Sequence, residues 1–391
     1  KLIETNCDRN MEKTLNSDRV YFQNLDVIRF IAAFMVVLVH AYEAWCGWYG
    51  QIGILSNGTY KDLSFGGKFV DTFIRNLGIG VDIFFLISGF LITYILLEEK
   101  KRFNKISIGK FMIRRALKIW PLYFFLIAIT PFLVHWVDSP SPNYVVNLVF
   151  ISNFDTIHTQ SWTYPFSHFW SICVEEHFYL IWPFIIYLVP KRNLISVFML
   201  IIASSILFRL YTFGTMQYPW YTLYLHTLSR IDILVIGAFG AYFYSEKPFT
   251  FQINRTVRIS LLCILIISLC VETVTSWDSM FLAGFKKFFY IGVIAVLLLD
   301  YNLNANFKHV LPKKSIIHYF GKISYGIYMY SNVLLIIIIK KFMWRFEITN
   351  IWVFFSVTIF LSIIIPILSY ELFEKHLLKL NRKFSVIKTE R

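Results

Sequence analysis

Asp26-Val27-Ile28-Arg29-Phe30-Ile31-Ala32-Ala33-Phe34-Met35-Val36-Val37-Leu38-Val39-His40 opens the first long apolar stretch of the chain, which continues to Trp45. Its length and composition read as a helix that crosses a membrane. Two ionisable side chains, Arg29 and His40, nevertheless sit inside it. Such a group costs about 2.5–3.5 kcal/mol on insertion scales, so it marks a functional site by default. The two are eleven residues apart in sequence. At about 100° per residue they fall on one face, roughly 16 Å apart along the axis. A polar seam therefore runs along an apolar helix.

The rest of the chain repeats this apolar character. Of 391 residues, 57% are hydrophobic, 19% aromatic and 16% charged, against about 25% charged in a soluble domain. Candidate spans lie near 27–45, 79–97, 119–137, 169–189, 194–213, 230–245, 258–275, 286–300, 319–339 and 351–373. The expected fold is all-α, a polytopic integral membrane protein with about ten transmembrane helices around a polar cavity. The stretch 143–154 is apolar but brief and reads as a re-entrant or interfacial piece. No linker or composition shift divides the chain. The expected organisation is a segment at 1–24, a transmembrane domain at 25–375 and a basic tail at 376–391.

The net charge of +14 would suit a nucleic-acid partner, but its distribution points to the bilayer instead. Lys100, Lys101, Arg102, Lys105, Lys110, Arg114 and Arg115 cluster between two spans, and the tail is also basic. Loops 138–168 and 214–229 contain no Lys or Arg. By the positive-inside rule, ten spans then place both termini in the cytoplasm, with Lys340, Lys341 and Arg345 a mild exception. The first 24 residues mix both charge signs without an apolar core, so they do not read as a signal peptide. Cys7, Cys46, Cys173, Cys263 and Cys270 show no CxxC pairing, and no metal-binding spacing is present.

Other polar groups recur inside or at the mouths of spans. Asp82 lies in Gly80-Val81-Asp82-Ile83-Phe84-Phe85-Leu86-Ile87-Ser88-Gly89-Phe90. Arg114, Arg115 and Lys118 precede Pro121, and Trp170-Ser171-Ile172-Cys173-Val174-Glu175-Glu176-His177-Phe178-Tyr179 opens the fourth span. Arg230 and Asp232 precede Gly237, and Ser324, Tyr325 and Tyr328 lie in a late span. With Leu25–His40, these segments in this order and spacing resemble the membrane-bound acyltransferase 3 family, integral membrane enzymes that O-acylate carbohydrates and lipids. The resemblance covers roughly residues 20 to 375. It departs at one point: where family members often carry another histidine, this chain has Ser331-Asn332.

The resemblance implies transfer of an acyl group, acetyl from acetyl-CoA foremost, to a hydroxyl of a surface polysaccharide or glycolipid in a bacterial plasma membrane. Such a reaction needs a base for the alcohol proton. His40 is the expected base, because its unperturbed pKa near 6.5 suits proton exchange at neutral pH. Glu175 and Asp82 are rival candidates to orient it. Arg29, Arg114, Arg115 and Lys118 are the expected phosphate ligands of the acyl-CoA donor. Trp170, Ser171, Tyr325, Tyr328 and Ser331 are the expected substrate-binding side chains.

Plain structural readings stand beside these. Asp82 pairs with Arg29 or Arg75, and Glu176 marks a helix start. His177 is structural or rim, Tyr325 and Tyr328 are aromatic packing, and His168 rims the acceptor site. A transporter or flippase would also bury ionisable groups, but no inverted repeat is visible. A succinyl donor or a small-molecule acceptor remains open. Asn57-Gly58-Thr59 reads as a glycosylation sequon, relevant only in a eukaryotic host.

Overall fold

A computed structural model describes residues 22–48, 65–246, 251–271, 285, 287–304, 315–347 and 349–384. The segment 1–21 with Cys7, the Asn57–Thr59 sequon and the tail from 385 lie outside the described residues. Among those described there is no strand, and the architecture is all-α.

The long helices are α1 (Gln23–Trp48), α3 (Gly80–Phe103), α4 (Ile108–Trp136), α7 (Phe169–Leu188), α8 (Leu194–Thr215), α10 (Thr227–Glu246), α11 (Arg255–Val271), α12 (Lys287–Leu303), α14 (Ser324–Ile337) and α15 (Ile351–Ser369). Short helices join or extend them: α2 (Phe65–Asn76), α5 (Tyr144–Leu148), α6 (Ser152–Thr159), α9 (Trp220–Leu225), α13 (Ile316–Lys322) and α16 (Lys375–Asn381). Each of the ten expected spans overlaps one or two of these helices, with 272–275 and 286 outside the described residues.

Eight helical runs among the described residues are long and apolar enough to cross a membrane. The other two expected spans lie on α11 and α12, each with 17 described residues. The stretch 143–154 carries α5 and the start of α6, of five and eight residues, too short to cross. The expected domain limits cut through helices: α1 begins at Gln23 and α16 runs past residue 376.

The centre of the bundle is the pair α3 and α10. A Cβ on Gly89 would overlap the Leu234 carbonyl, and one on Gly237 would overlap the Leu86 carbonyl. Only glycine lets the two backbones come this close, the close approach by which membrane helices gain dispersion contacts without a hydrophobic driving force. Buried charges tie the same helices. Asp82 of α3 pairs with Arg230 of α10. Arg209 of α8 pairs with Asp232 at 2.8 Å and donates to Ser205 Oγ and the Ser229 carbonyl, each at 2.9 Å.

Neighbouring helices attach by single polar contacts. Trp182 Nε1 of α7 donates to Thr93 Oγ1 of α3 at 2.8 Å. Lys100 Nζ donates to the carbonyls of Ile186, Tyr187 and Val189 at 2.6–3.1 Å, satisfying acceptors that the end of α7 leaves open. Gly321 of α13 lies against the Asp26 carbonyl of α1.

Breaking a buried pair by removing one partner costs about 3–5 kcal/mol, because the other charge is left uncompensated. Asp82→Ala is therefore expected to lower the melting temperature of the purified protein sharply. The joint replacement Asp82→Leu with Arg230→Leu is expected to cost less than Asp82→Ala alone. Equal or larger loss in the double variant would show that the pair itself, and not the orphaned guanidinium, dominates.

Candidate functional site

Two polar features share one joint inside the bundle. The first is a cavity of about 80 Å³ between α1, α3, α4, α7 and α14. Arg29, Lys118, Glu175, Ser171, Tyr325 and Tyr328 line it, with Ser88 and Tyr179 beside Glu175. Arg29 Nη1 donates to Asp26 Oδ1 at 3.0 Å, one turn back along α1. Glu175 accepts from Ser88 Oγ at 3.0 Å and from Tyr179 Oη at 2.6 Å, so both of its oxygens are held. Tyr325 Oη donates to the Ile119 carbonyl at 2.9 Å.

The second feature is His40, half-buried on α1. Its Nδ1 lies 3.4 Å from Ser331 Oγ of α14. Ser331 donates its single proton to the Tyr328 carbonyl at 2.7 Å, so toward the imidazole it can only accept. Nδ1 therefore carries the ring proton in neutral His40, and Nε2 carries the lone pair. No hydrogen bond to Nε2 is found among the described residues. The contact at 3.4 Å is long and weak, but its direction follows from the serine's one proton.

His168 stands against this imidazole, ring centroids 6.3 Å apart and planes at 62°. It is 1% exposed, and both its nitrogens are engaged. Nε2 lies 3.0 Å from the Met329 carbonyl and so donates to it, and Nδ1 accepts from Asn332 Nδ2 at 3.2 Å. The ring is thus held at both nitrogens. The His168 carbonyl accepts from Tyr328 Oη at 2.9 Å, and Ser171 Oγ lies 2.6 Å from the same phenol. Tyr328 is the joint, since its ring lines the cavity and its carbonyl fixes Ser331.

The structure gathers some of the expected side chains and removes others. Arg29, Lys118, Glu175, Ser171, Tyr325 and Tyr328 come together at the cavity, and Ser331 meets His40 instead of lining the cavity. Asp82 is corrected as a partner of His40: it pairs with Arg230, neither of the arginines expected for it. Glu175 is corrected in the same way, because its partners are Ser88 and Tyr179. Trp170 does not line the cavity. Its ring packs on Tyr224 at 5.1 Å and on the Arg230 guanidinium at 5.2 Å.

Arg114 does not line the cavity either. Its buried guanidinium donates to the Phe384 carbonyl at 2.8 Å and lies 3.6 Å from Glu99, tying α4 to the C-terminal segment. Arg115 lies over the rings of Phe111 and Tyr179, at 5.8 and 6.0 Å, one side chain away from the cavity. Glu176 is no helix-start marker at an interface but a buried acceptor for Trp120 Nε1 at 3.1 Å. His177 is structural, held by Thr227 Oγ1 at 2.8 Å and stacked on Phe154.

His168 is the residue that sequence reasoning undervalued. Its signal lay in Ser331-Asn332, the pair that stands in place of a second histidine. These two side chains reach His40 and His168 respectively, so the second imidazole beside His40 comes from a different element.

Comparison with known proteins places the chain in context. A family model described as an acyltransferase domain matches residues 22–371. O-acetyltransferase OatA of Staphylococcus aureus is 26% identical over 287 residues, covering 66% of this chain and 46% of that protein. Peptidoglycan O-acetyltransferase OatA of Listeria monocytogenes is 29% identical over 188 residues, covering 44% of this chain and 25% of that protein. The chain thus spans less than half the length of these curated relatives. No solved structure matches it.

The proton accounting at Ser331 has a direct readout. In protein labelled with ¹⁵N-histidine, neutral His40 is expected to show Nδ1 protonated and Nε2 bare. Ser331→Ala should let the two tautomers mix and draw the two nitrogen shifts together, while Ser331→Thr should keep them apart. Shifts that do not move in Ser331→Ala would mean that the serine does not set the tautomer.

Proposed function

The chain belongs to the acyltransferase family whose domain spans residues 22–371, and on that basis we propose that it transfers an acyl group, acetyl foremost, to a hydroxyl of a cell-envelope polysaccharide. The observation that carries this reading is the His40 imidazole, its Nδ1 proton directed to Ser331 and its Nε2 lone pair free within the bundle. A general base must have its lone pair available and its ring orientation fixed, and this arrangement supplies both. The names of the relatives, O-acetyltransferase and peptidoglycan O-acetyltransferase, support acetyl as the group and a cell-wall glycan as the acceptor.

The donor is an acyl-CoA, which supplies a carbonyl with a thiolate leaving group. Arg29 and Lys118 at the cavity suit its phosphates, with Arg115 behind them. The nucleotide end then stays at the basic mouth, and the thioester arm reaches inward. His40 Nε2 takes the proton of the acceptor hydroxyl as its oxygen bonds to the acyl carbon. The imidazolium then returns that proton to the departing sulfur, so His40 ends the cycle neutral. Ser331 holds Nδ1 throughout, and His168, held at both nitrogens, packs beside the His40 ring.

Lys and Arg at the ends of the spans favour an integral protein of the bacterial plasma membrane with both termini in the cytoplasm. Donor then enters from inside, and acceptor arrives from outside.

General-base residues contribute typically about 10²–10⁴-fold. His40→Ala in the purified, membrane-reconstituted protein is expected to lower acetyl transfer by that factor, read as O-acetyl signals in the product glycan by NMR. Lys118→Ala is expected to raise the KM for acetyl-CoA about tenfold with a smaller change in kcat. Full transfer by His40→Ala at matched protein level would remove the histidine from the reaction. An unchanged donor KM in Lys118→Ala would remove the cationic mouth.

A further inference from the structure

Where the cavity meets His168, three donors converge on one carbonyl. Tyr328 Oη lies 2.9 Å from the His168 carbonyl oxygen, Ser171 Oγ 3.2 Å and the Ser171 backbone nitrogen 3.4 Å. That oxygen has only two lone pairs. The two hydroxyl oxygens are themselves 2.6 Å apart. A separation that short needs a proton between them, so one hydroxyl donates to the other. Two protons thus serve three contacts, and only one hydroxyl at a time can donate to the carbonyl.

Two arrangements are open to this buried pair. In one, Ser171 donates to Tyr328, and Tyr328 donates to the carbonyl. In the other, Tyr328 donates to Ser171, and the serine proton is left to choose its acceptor. That proton can turn from the carbonyl toward the cavity, which both side chains line. The carbonyl keeps a partner, because the Ser171 N–H remains directed at it. Turning the proton therefore leaves no buried group unpaired, and the phenol polarises the serine as it turns.

The run of α7 says what this proton meets. Ser171, Glu175 and Tyr179 follow one another at one-turn intervals along the cavity wall. Ser171 and Tyr179 are thus about 12 Å apart along the axis. Arg115 lies over the Tyr179 ring at 6.0 Å, so the basic end and the hydroxyl end are opposite ends of one wall. At the hydroxyl end, the Tyr328 ring lies 5.3 Å from the ring of His168, which stands beside His40. A donor with its phosphates at the basic end brings its thioester to the hydroxyls. Acyl transfer builds negative charge on the thioester oxygen, where a donor already in place counts most.

We propose that Ser171, polarised by Tyr328, donates to the thioester carbonyl oxygen and holds the oxyanion of the transfer step. This role rests on the acyl-transfer reading. As the acceptor oxygen bonds to the acyl carbon, its proton passes to His40 Nε2 and the C=O π pair moves onto the thioester oxygen. The pair then returns, the C–S bond breaks, and the sulfur leaves with the proton from His40. Ser171 keeps its own proton throughout.

The test uses a ketone analogue of acetyl-CoA in which a methylene replaces the sulfur, labelled with ¹³C at the carbonyl. It is bound to the full chain in nanodiscs and read by isotope-edited infrared spectroscopy. A donated hydrogen bond lowers the carbonyl stretch. The bound band is expected at lower wavenumber in the wild type and in Ser171→Thr, which keeps a hydroxyl, than in Ser171→Ala. Tyr328→Phe is expected to raise it part of the way. In the transfer assay, Ser171→Ala is expected to lower kcat about 10²–10³-fold, the cost of losing one oxyanion donor, with the KM for acetyl-CoA within about twofold. A band that Ser171→Ala and Tyr328→Phe both leave in place overturns the proposal and spares the acyl-transfer reading. An analogue that the wild type does not bind overturns that reading and this role with it. If Ser171→Ala fails to fold, Tyr328→Phe decides alone: a raised band supports the proposal and an unmoved one overturns it.

Discussion

The ion pair between Asp82 and Arg230 is the constraint on which the rest of this bundle depends. Both side chains are buried, Asp82 at 3% and Arg230 at 1% exposure, so each charge depends on the other. The guanidinium is enclosed by the rings of Phe85, Trp170 and Tyr224 at 5.7, 5.2 and 5.1 Å. Those rings belong to α3, α7 and α9, so one charge pair sets the positions of four helices at once. Gly89 and Gly237 let α3 and α10 close upon it. Tyr224, fixed from inside by the arginine, in turn stacks on Trp220 at 5.0 Å and 20°.

On the other side of this frame, α14 connects the cavity to the imidazole. Tyr325, Tyr328 and Ser331 recur at intervals of three and so share a face, with Asn332 beside them. The first two line the cavity, the third meets His40 and the last clamps His168. A single helix thus sets the geometry of the cavity wall and the tautomers of both histidines. Movement of α14 relative to α1 would change all three together, and the hydrogen bonds of His168 to Met329 and Asn332 oppose that movement.

Much of this was legible in the sequence, and the part that was not has a common cause. The polar seam of Arg29 and His40 follows from helical periodicity, and the spans follow from apolar length. The Ser324–Tyr328 motif marked the helix that joins the site. What the sequence withheld was the identity of partners across helices. Asp82 and Arg230 are 148 residues apart, and periodicity fixes the face of each without saying which faces meet. Arg114 read as a cation at a mouth, whereas its contact with the Phe384 carbonyl depends on where the C-terminal segment returns. His168 read as a loop residue because its loop, although outside any span, folds back into the bundle.

The hydrogen bonds around His40 also bear on how a membrane keeps its proton gradient. A basic group within a bilayer-spanning bundle is the first element of a proton wire, and a relay of hydroxyls beside it would complete one. Here the relay runs from Nδ1–H to the Ser331 hydroxyl and on to the carbonyl of Tyr328. A backbone carbonyl has no proton to pass further. The path is a cul-de-sac, so a proton taken up at Nε2 leaves by the way it came. A membrane can carry this imidazole without proton leakage along that branch.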